Sequence, residues 1–454
     1  MKAASNHTRK AFAAAVVMLT AVMPAAAQRM TLRQCIDRAT EQNISIRQRD
    51  IARQKQELSL STAENSRLPD LNASLGQNFS FGRGLTAANT YTNTNTSNTS
   101  FSLGTSVPLF TGMNIPNTIR MNRLNLDAAT ADLEKARNDM RMQVTQTYVE
   151  TLYNMEIVEV ARRQVAIDSM QTARLQAMLD AGKAAETDVA QQKATLAQSR
   201  LTATQAANNL ANSLLMLSQL IELPSADSFS IVRPALDDSR MEAYEGARAI
   251  SAERVYAEAV GIKPEIQAEQ LRLQGTERSI SIARSALYPQ LSLSAGIGTN
   301  YYKTSGFLAD AFATQIKNNF SQYVGLSLSV PIFNRFQTRN SIRAAKLDRE
   351  TQMLQLDNAK KTLYKEIQQV CCNASAAAMK HRSSTAAAKS SEAAFRLMTA
   401  KYENGKANIT EFNEAKNNWL KAESDLVQAR YELIYQSSLI DFYRGRDLLK
   451  GWED

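Results

Sequence analysis

The chain has few of the residues that usually carry chemistry, with 3 cysteines and 2 histidines among 454 residues. Cys35, Cys371 and Cys372 are too few for a disulfide framework, and we expect all three to pack in helices as small apolar residues. No set of residues suited to catalysis or metal binding can be assembled around them. The sequence therefore predicts no enzyme, no metal site and no cofactor.

Long apolar stretches are missing too, except at the start. There, basic residues precede the apolar stretch Ala11–Met23 and the small residues Ala25–Ala27, which is the pattern of a secretory signal peptide over residues 1–27. The mean hydropathy of the whole chain is -0.34. Outside the signal the chain lacks the run of about 20 apolar residues that a membrane-spanning helix needs. We expect an exported chain without a helical anchor.

A strong charge imbalance is also missing. Lys and Arg number 53 against 44 Asp and Glu, and they alternate with acidic residues along helical stretches instead of forming a basic patch. Such charges are typical of solvated helix faces, so we expect no nucleic-acid partner.

The same motifs are present twice in the sequence. SVPLF at Ser106–Phe110 recurs as SVPIF at Ser329–Phe333, and the AGK around Gly182 recurs as NGK around Gly405, both 223 residues later. This self-similarity predicts two structural repeats, residues 28–223 and 247–454. A less regular connector, residues 224–246, joins them.

Each repeat begins with a predicted pair of short helices that ends near a proline, Pro69 or Pro289. A β-hairpin follows, over residues 71–110 and residues 290–333, in which apolar residues alternate with small polar ones. LSLSAGI at Leu291–Ile297 is an example. A period of two places the apolar side chains on one face of each strand.

A soluble sandwich would show the same alternation, but the strand length and the small polar face favour a transmembrane barrel. Runs of about 10 residues suit tilted strands in a bilayer, and a small polar face suits a water-filled lumen. The long segments Thr86–Thr99 and Lys303–Asn319 are interpreted as extracellular loops. Four strands cannot close a barrel, so several chains must share one. Three chains give a twelve-stranded barrel with room for a channel.

The second half of each repeat lacks helix breakers. No glycine or proline occurs from Asn117 to Ala181 or from Asn334 to Asn404, which predicts two helices of about 65 residues, each about 100 Å long. Gly182 and Gly405 then end these helices, and shorter helices return along them.

The returning helices carry mostly apolar residues at intervals of seven. The two series are Val189, Leu196, Ala203, Leu210 and Leu217, and Phe412, Trp419, Leu426, Leu433 and Ile440. Strict sevens indicate coiled-coil packing. The helices alone fit a plain coiled coil as well as the helical wall of a channel. The predicted barrel strands favour the channel.

This order of helix pair, hairpin, long helix, glycine turn and returning helix resembles the TolC family of outer membrane efflux proteins over essentially the whole mature chain. TLRQCIDRATEQN at Thr31, YENGKANITEFNEA at Tyr402 and YELIYQSSLIDFYRG at Tyr431 carry the resemblance.

The resemblance implies a homotrimer in the outer membrane of a Gram-negative-type bacterium. Its twelve-stranded β-barrel would continue into the periplasm as an α-helical barrel. It also implies two partners, a periplasmic adaptor protein and an inner-membrane transporter. In such an efflux or type I secretion system the chain would be a passive conduit.

The resemblance also implies roles for single residues. Glu411 and Glu414 match the acidic ring of a periplasmic gate, where the family has aspartates. Tyr402, Thr187 and Asp188 match the contacts that hold the tip closed. Without the resemblance, a carboxylate at the positive N-terminal end of its helix is the favoured interpretation of Glu411, and Thr187 equally fits a helix cap.

The turns and prolines complete the implied site. Ala407 stands where the family has a basic residue of the closed tip. The adaptor-facing tips are Gly182, Lys183, Gly405 and Lys406, and the strand–helix junctions are Pro69, Pro108, Pro289 and Pro331.

Two other classes of function stay open. A periplasmic coiled-coil scaffold or binding module would explain the heptads but would leave the four alternating strands without a role. An enzyme would need a catalytic set that the sequence does not offer.

Overall fold

The computed structural model describes residues 28–85, 89–225, 229–234, 241, 244 and 251–448. The predicted signal peptide, much of the predicted connector and the last residues of the chain lie outside these ranges. The described residues form two compact units. The helical unit takes its residues from 1–48, 134–263 and 361–454, and the sheet unit comprises residues 49–133 and 264–360.

Helices dominate the described chain. The helices are α1 (Leu32–Gln42), α2 (Ile44–Asn65), α3 (Asn114–Asp180), α4 (Glu186–Leu220), α5 (Ala252–Ala259), α6 (Pro264–Ser285), α7 (Phe312–Asn318), α8 (Gln337–Glu403) and α9 (Ile409–Tyr443). The strands are β1 (Gln28–Met30), β2 (Asn72–Leu85), β3 (Tyr91–Phe110), β4 (Phe229–Ile231), β5 (Gln290–Thr304) and β6 (Ser321–Ser329). The long helices α3 and α8 have 67 residues each, and the returning helices α4 and α9 have 35 each.

No helix among the described residues combines the length and the apolar character that crossing a membrane requires.

The four longest strands form one antiparallel sheet in the order β2-β3-β5-β6. Directly paired residues share a face of such a sheet. Leu103 pairs with Ala73 on one side and with Ile297 on the other, whereas Ser102 pairs with Ser74 and Gly298. One face of the sheet is therefore apolar and the other is small and polar, as the alternation in the sequence predicts.

The predicted boundaries of both long loops are wrong. The segment Thr86–Thr99 was expected to be a loop, but β3 begins at Tyr91, and Tyr91–Thr99 pairs with Gln77–Leu85. Threonine is β-branched and favours extended backbone. The backbone N–H and C=O groups of this polar segment are hydrogen-bonded to β2 and do not depend on solvent for partners. The segment Lys303–Asn319 begins in β5 and contains the helix α7.

The core of the helical unit contains Cys35, which is fully buried. Burial raises the pKa of the Cys35 thiol to about 12, so this thiol stays protonated at neutral pH. Cys371 is half-buried, but Cys372 is exposed. The expectation of packing is wrong for Cys372, because neighbouring residues in a helix point about 100° apart.

Candidate functional site

Each long helix ends in a turn that contains a glycine with a left-handed backbone conformation. Gly182 has φ 69° and Gly405 has φ 70°. In each turn the N–H of the next residue donates to the carbonyl five residues earlier, at 2.7 Å from Lys183 and 2.8 Å from Lys406. This hydrogen bond is the one that defines the Schellman motif at a helix C-terminus. The motif favours glycine, because residues with a Cβ atom are strained at such φ values.

The two returning helices begin differently. Asn408 caps α9, accepting from the Glu411 N–H at 2.8 Å, and the Glu411 carboxylate accepts from the Asn408 N–H at 3.0 Å. Helix α4 begins after Ala185, which makes no side-chain capping bond, and Thr187 lies inside the helix. The cap interpretation of Thr187 is therefore wrong, whereas Glu411 does stabilise the start of its helix.

Aromatic side chains pack together beside the turn at Gly405. Phe395 stacks on Trp419 with ring centroids 4.9 Å apart, and Phe412 lies 5.5 Å from Phe395 and 5.0 Å from Tyr402. The guanidinium of Arg174 lies 5.2 Å from the centre of the Tyr402 ring. These contacts join the end of α8 to the start of α9, and through Arg174 to α3.

Tyr402 lies within electrostatic reach of Asp188. Burial raises the pKa of the Tyr402 phenol, Arg174 opposes this and the charge of Asp188 adds to it. The phenol therefore keeps its proton and can donate a hydrogen bond at neutral pH. Among the described residues of this one chain, Tyr402 makes no hydrogen bond with Thr187 or Asp188.

The predicted gate residues, Glu411 and Glu414, lie at the start of α9. Glu414 is exposed one turn after Glu411, and a spacing of three places both carboxylates on one face of the helix. The first of them is engaged by Asn408, whereas Glu414 has no ion-pair partner among the described residues.

A buried polar network lies two residues beyond Glu414 and was not predicted. The side chains of Lys416 (α9) and Asp168 (α3) form an ion pair, and both are 0% exposed. Lys416 also donates to Asn413 Oδ1 at 3.1 Å, Ser199 donates to Asp168, and Asn413 donates to Gln192 Oε1 at 3.1 Å. The network connects α9 to both helices of the α3–α4 hairpin.

A weak signal of this network was present in the heptads. Gln192 and Ser199 each follow an apolar heptad residue of α4 by three positions, where a seam residue is expected. Polar residues in a coiled-coil seam indicate a buried partner, but the partners Asp168 and Lys416 cannot be identified from spacing.

The junction prolines lie in the sheet unit. Pro69 lies between α2 and β2, Pro289 lies just before β5, and Pro331 follows β6. Pro108 lies inside β3, where the pairing with β5 shifts. Its missing N–H is consistent with an irregular pairing at this point.

Among the described residues, no group of three or more His, Cys, Asp or Glu side chains is placed to hold a metal ion.

Comparison with known proteins gives a family match over both halves of the chain. The model of the outer membrane efflux protein family matches residues 35–221 and 255–441. Protein CyaE of Bordetella pertussis is 25% identical over 311 residues, which cover 67% of this chain and 61% of CyaE. Outer membrane protein OprJ of Pseudomonas aeruginosa is 23% identical over 198 residues, 44% of this chain and 39% of OprJ. The chain thus matches less than two thirds of the length of either relative.

Solved structures share the fold. The CmeC outer membrane channel of Campylobacter jejuni superposes with a TM-score of 0.75 at 19% identity, and the match covers 92% of this chain and 88% of CmeC.

Proposed function

This chain belongs to the outer membrane efflux protein family, and from that premise we propose that it is the outer-membrane channel of a tripartite export system. It acts as a passive conduit for substrates that an inner-membrane transporter delivers through a periplasmic adaptor, and it catalyses no reaction. The observation that carries the proposal is a four-stranded sheet with one apolar face, attached through α3 and α8 to two helical hairpins.

The sheet supports a barrel shared by three chains. Within the described residues, β2 and β6 each pair on one side only. An unpaired edge in lipid leaves several kcal/mol of backbone hydrogen bonding unsatisfied per group. Because the sheet is antiparallel and has four strands, β6 of one chain can pair antiparallel with β2 of the next. Three chains then close a twelve-stranded barrel, with the apolar face toward lipid and the small polar face toward the lumen.

The helical hairpins support a tunnel that continues the barrel into the periplasm. Residues 28–223 and 247–454 act in this proposal as two repeats, each supplying one hairpin. The turns at Gly182 and Gly405 are the adaptor-facing tips, with Lys183 and Lys406 exposed beside them. Glu411 and Glu414 line the gate, and Tyr402 with Thr187 and Asp188 of a neighbouring hairpin holds it closed.

The first prediction concerns assembly. The mature chain should be extracted from envelopes only with detergent, and native mass spectrometry should give three copies per complex, because the open sheet edges require partners. A water-soluble monomer would contradict the barrel and favour the coiled-coil scaffold.

The second prediction concerns the tips. A photo-reactive residue at Lys183 or Lys406 should cross-link to a periplasmic adaptor in intact cells. The matched control is the same residue at Thr94 of β3, beside the loop assigned to the outside. Cross-links to the adaptor from Thr94, and none from the tips, would reverse the proposed orientation.

A further inference from the structure

Two helices of the sheet unit present aliphatic residues to solvent at matching intervals of seven. On α2, Ile51 is 52% exposed and Leu58 is 68% exposed. On α8, Leu347 is 63% exposed and Leu354 is 62% exposed. Residues seven apart lie on one side of a helix, so each pair forms a short stripe. We propose that the α2 stripe of one chain packs against the α8 stripe of the next chain, forming the helical seam between subunits.

The order of the helices in the sheet unit identifies these two as its edges. Arg123 of α3 pairs with Glu64 of α2 at 3.3 Å, and Arg272 of α6 pairs with Asp132 of α3. Arg349 of α8 pairs with Glu277 of α6 at 3.3 Å. The helices therefore follow one another as α2-α3-α6-α8, with α2 and α8 outermost.

This helix order matches the strand order β2-β3-β5-β6, since α2 leads into β2 and α8 follows β6. Within the described residues, the same two ends of the unit thus have no further strand and no further helix beside them. A second copy that pairs its β2 with this chain's β6 also brings its α2 beside this chain's α8. The inference rests on the proposed shared barrel and adds the residues that hold its helical part together.

The two stripes lie at similar distances from the sheet, measured along their helices. The end of α2 and the start of α8 are the ends nearest the sheet, so the two helices run antiparallel at the seam. Leu58 lies about 10 Å from the end of α2 and Leu347 about 15 Å from the start of α8, at 1.5 Å per residue. Ile51 and Leu354 lie at about 21 Å and 26 Å. Both pairs differ by about 5 Å, less than one helical turn.

The charges on the stripes are complementary. Lys55 lies between Ile51 and Leu58 on its face of α2, and Glu350 lies between Leu347 and Leu354 on its face of α8. Both side chains are exposed, and neither has an ion-pair partner among the described residues of its own chain. Antiparallel pairing of the stripes places Lys55 opposite Glu350 of the neighbour, within the same 5 Å or so of height.

Disulfide cross-linking tests the seam in the assembled protein. In a background with Cys35, Cys371 and Cys372 replaced by alanine, the double variant Leu58→Cys, Leu347→Cys should oxidise in membranes to dimers and trimers on non-reducing gels. The mismatched control Leu58→Cys, Leu354→Cys differs in height by about 15 Å, beyond the 4.4–6.8 Å or so between Cα atoms that a disulfide requires. It should stay largely monomeric on the same gels, as should each single variant.

A charge exchange gives an independent measurement. Glu350→Lys should lower the temperature at which the trimer dissociates, and adding Lys55→Glu should restore it. A native trimer in which the matched pair does not cross-link and the exchange does not restore stability would overturn the seam while leaving the channel proposal intact. A native monomer would overturn both.

Discussion

Replacing Lys416 with methionine is expected to loosen the start of α9 by about 3–5 kcal/mol, because it leaves the buried carboxylate of Asp168 without its counter-ion. Methionine is unbranched and only one heavy atom shorter than lysine, so most of the loss reports the missing charge. Hydrogen–deuterium exchange of the trimer should show the effect in peptides that cover residues 405–420. Their slowest amides should exchange at least about a hundredfold faster than in the wild type.

Two further variants separate the ion pair from general disturbance of the helix. Lys421→Met removes an exposed lysine five residues along α9 and should leave the exchange unchanged. The double variant Asp168→Leu, Lys416→Met removes both charges together and should cost less than the single change, since no charge then stays buried alone. Wild-type exchange in Lys416→Met would show that the ion pair does not hold α9 on the hairpin.

The sequence allowed much of the fold to be predicted because its main signals are local. Residues 117–181 and 334–404 lack glycine and proline, the two residues that most disfavour a helix, and nearly all of both stretches lies in the helices α3 and α8. The alternation in Leu291–Ile297 is likewise a property of one strand. The family assignment, made from the order of these elements, is confirmed by the match over both halves.

What could not be predicted depends on residues that are distant in sequence. Asp168 and Lys416 are 248 residues apart, and no local pattern selects one as the partner of the other. The strand at Tyr91–Thr99 was missed for a different reason, because its polar side chains suggest a loop although its backbone pairs with the neighbouring strand β2. Leu58 and Leu347 can be proposed as seam residues only once the order of helices within the sheet unit is known.

The two glycine turns share their backbone geometry but differ in helix capping and aromatic packing. The turn at Gly405 leads into a capped helix and is packed by Phe395, Tyr402 and Phe412. The turn at Gly182 leads into a helix without a side-chain cap. A capped start and aromatic packing each lower the freedom of a helix end. This difference suits a gate carried by α9, since charged groups at a constriction act only where their positions are fixed.

The capping box at Asn408 also shapes the test of the gate. Glu411 has a structural role whether or not it lines a pore, so a change that removes its hydrogen bond would mix two effects. Glutamine preserves this bond, because a capping box accepts Glu or Gln at that position. Replacing Glu411 and Glu414 by glutamine therefore removes charge while α9 keeps its start.

The double variant Glu411→Gln, Glu414→Gln should lose most of the channel's preference for cations. In the proposed trimer each chain would contribute both carboxylates to one constriction, and rings of like charge select ions of the opposite sign. Reversal potentials in planar bilayers under a potassium chloride gradient measure the preference, which should be cationic in the wild type and close to unselective in the variant. Glu186→Gln is the matched control, because it removes an exposed carboxylate from the first turn of the other returning helix, α4, and it should leave the potential unchanged. If the double variant kept the wild-type potential while the trimer stayed intact, Glu411 and Glu414 would serve only the start of α9, and the gate would lie elsewhere.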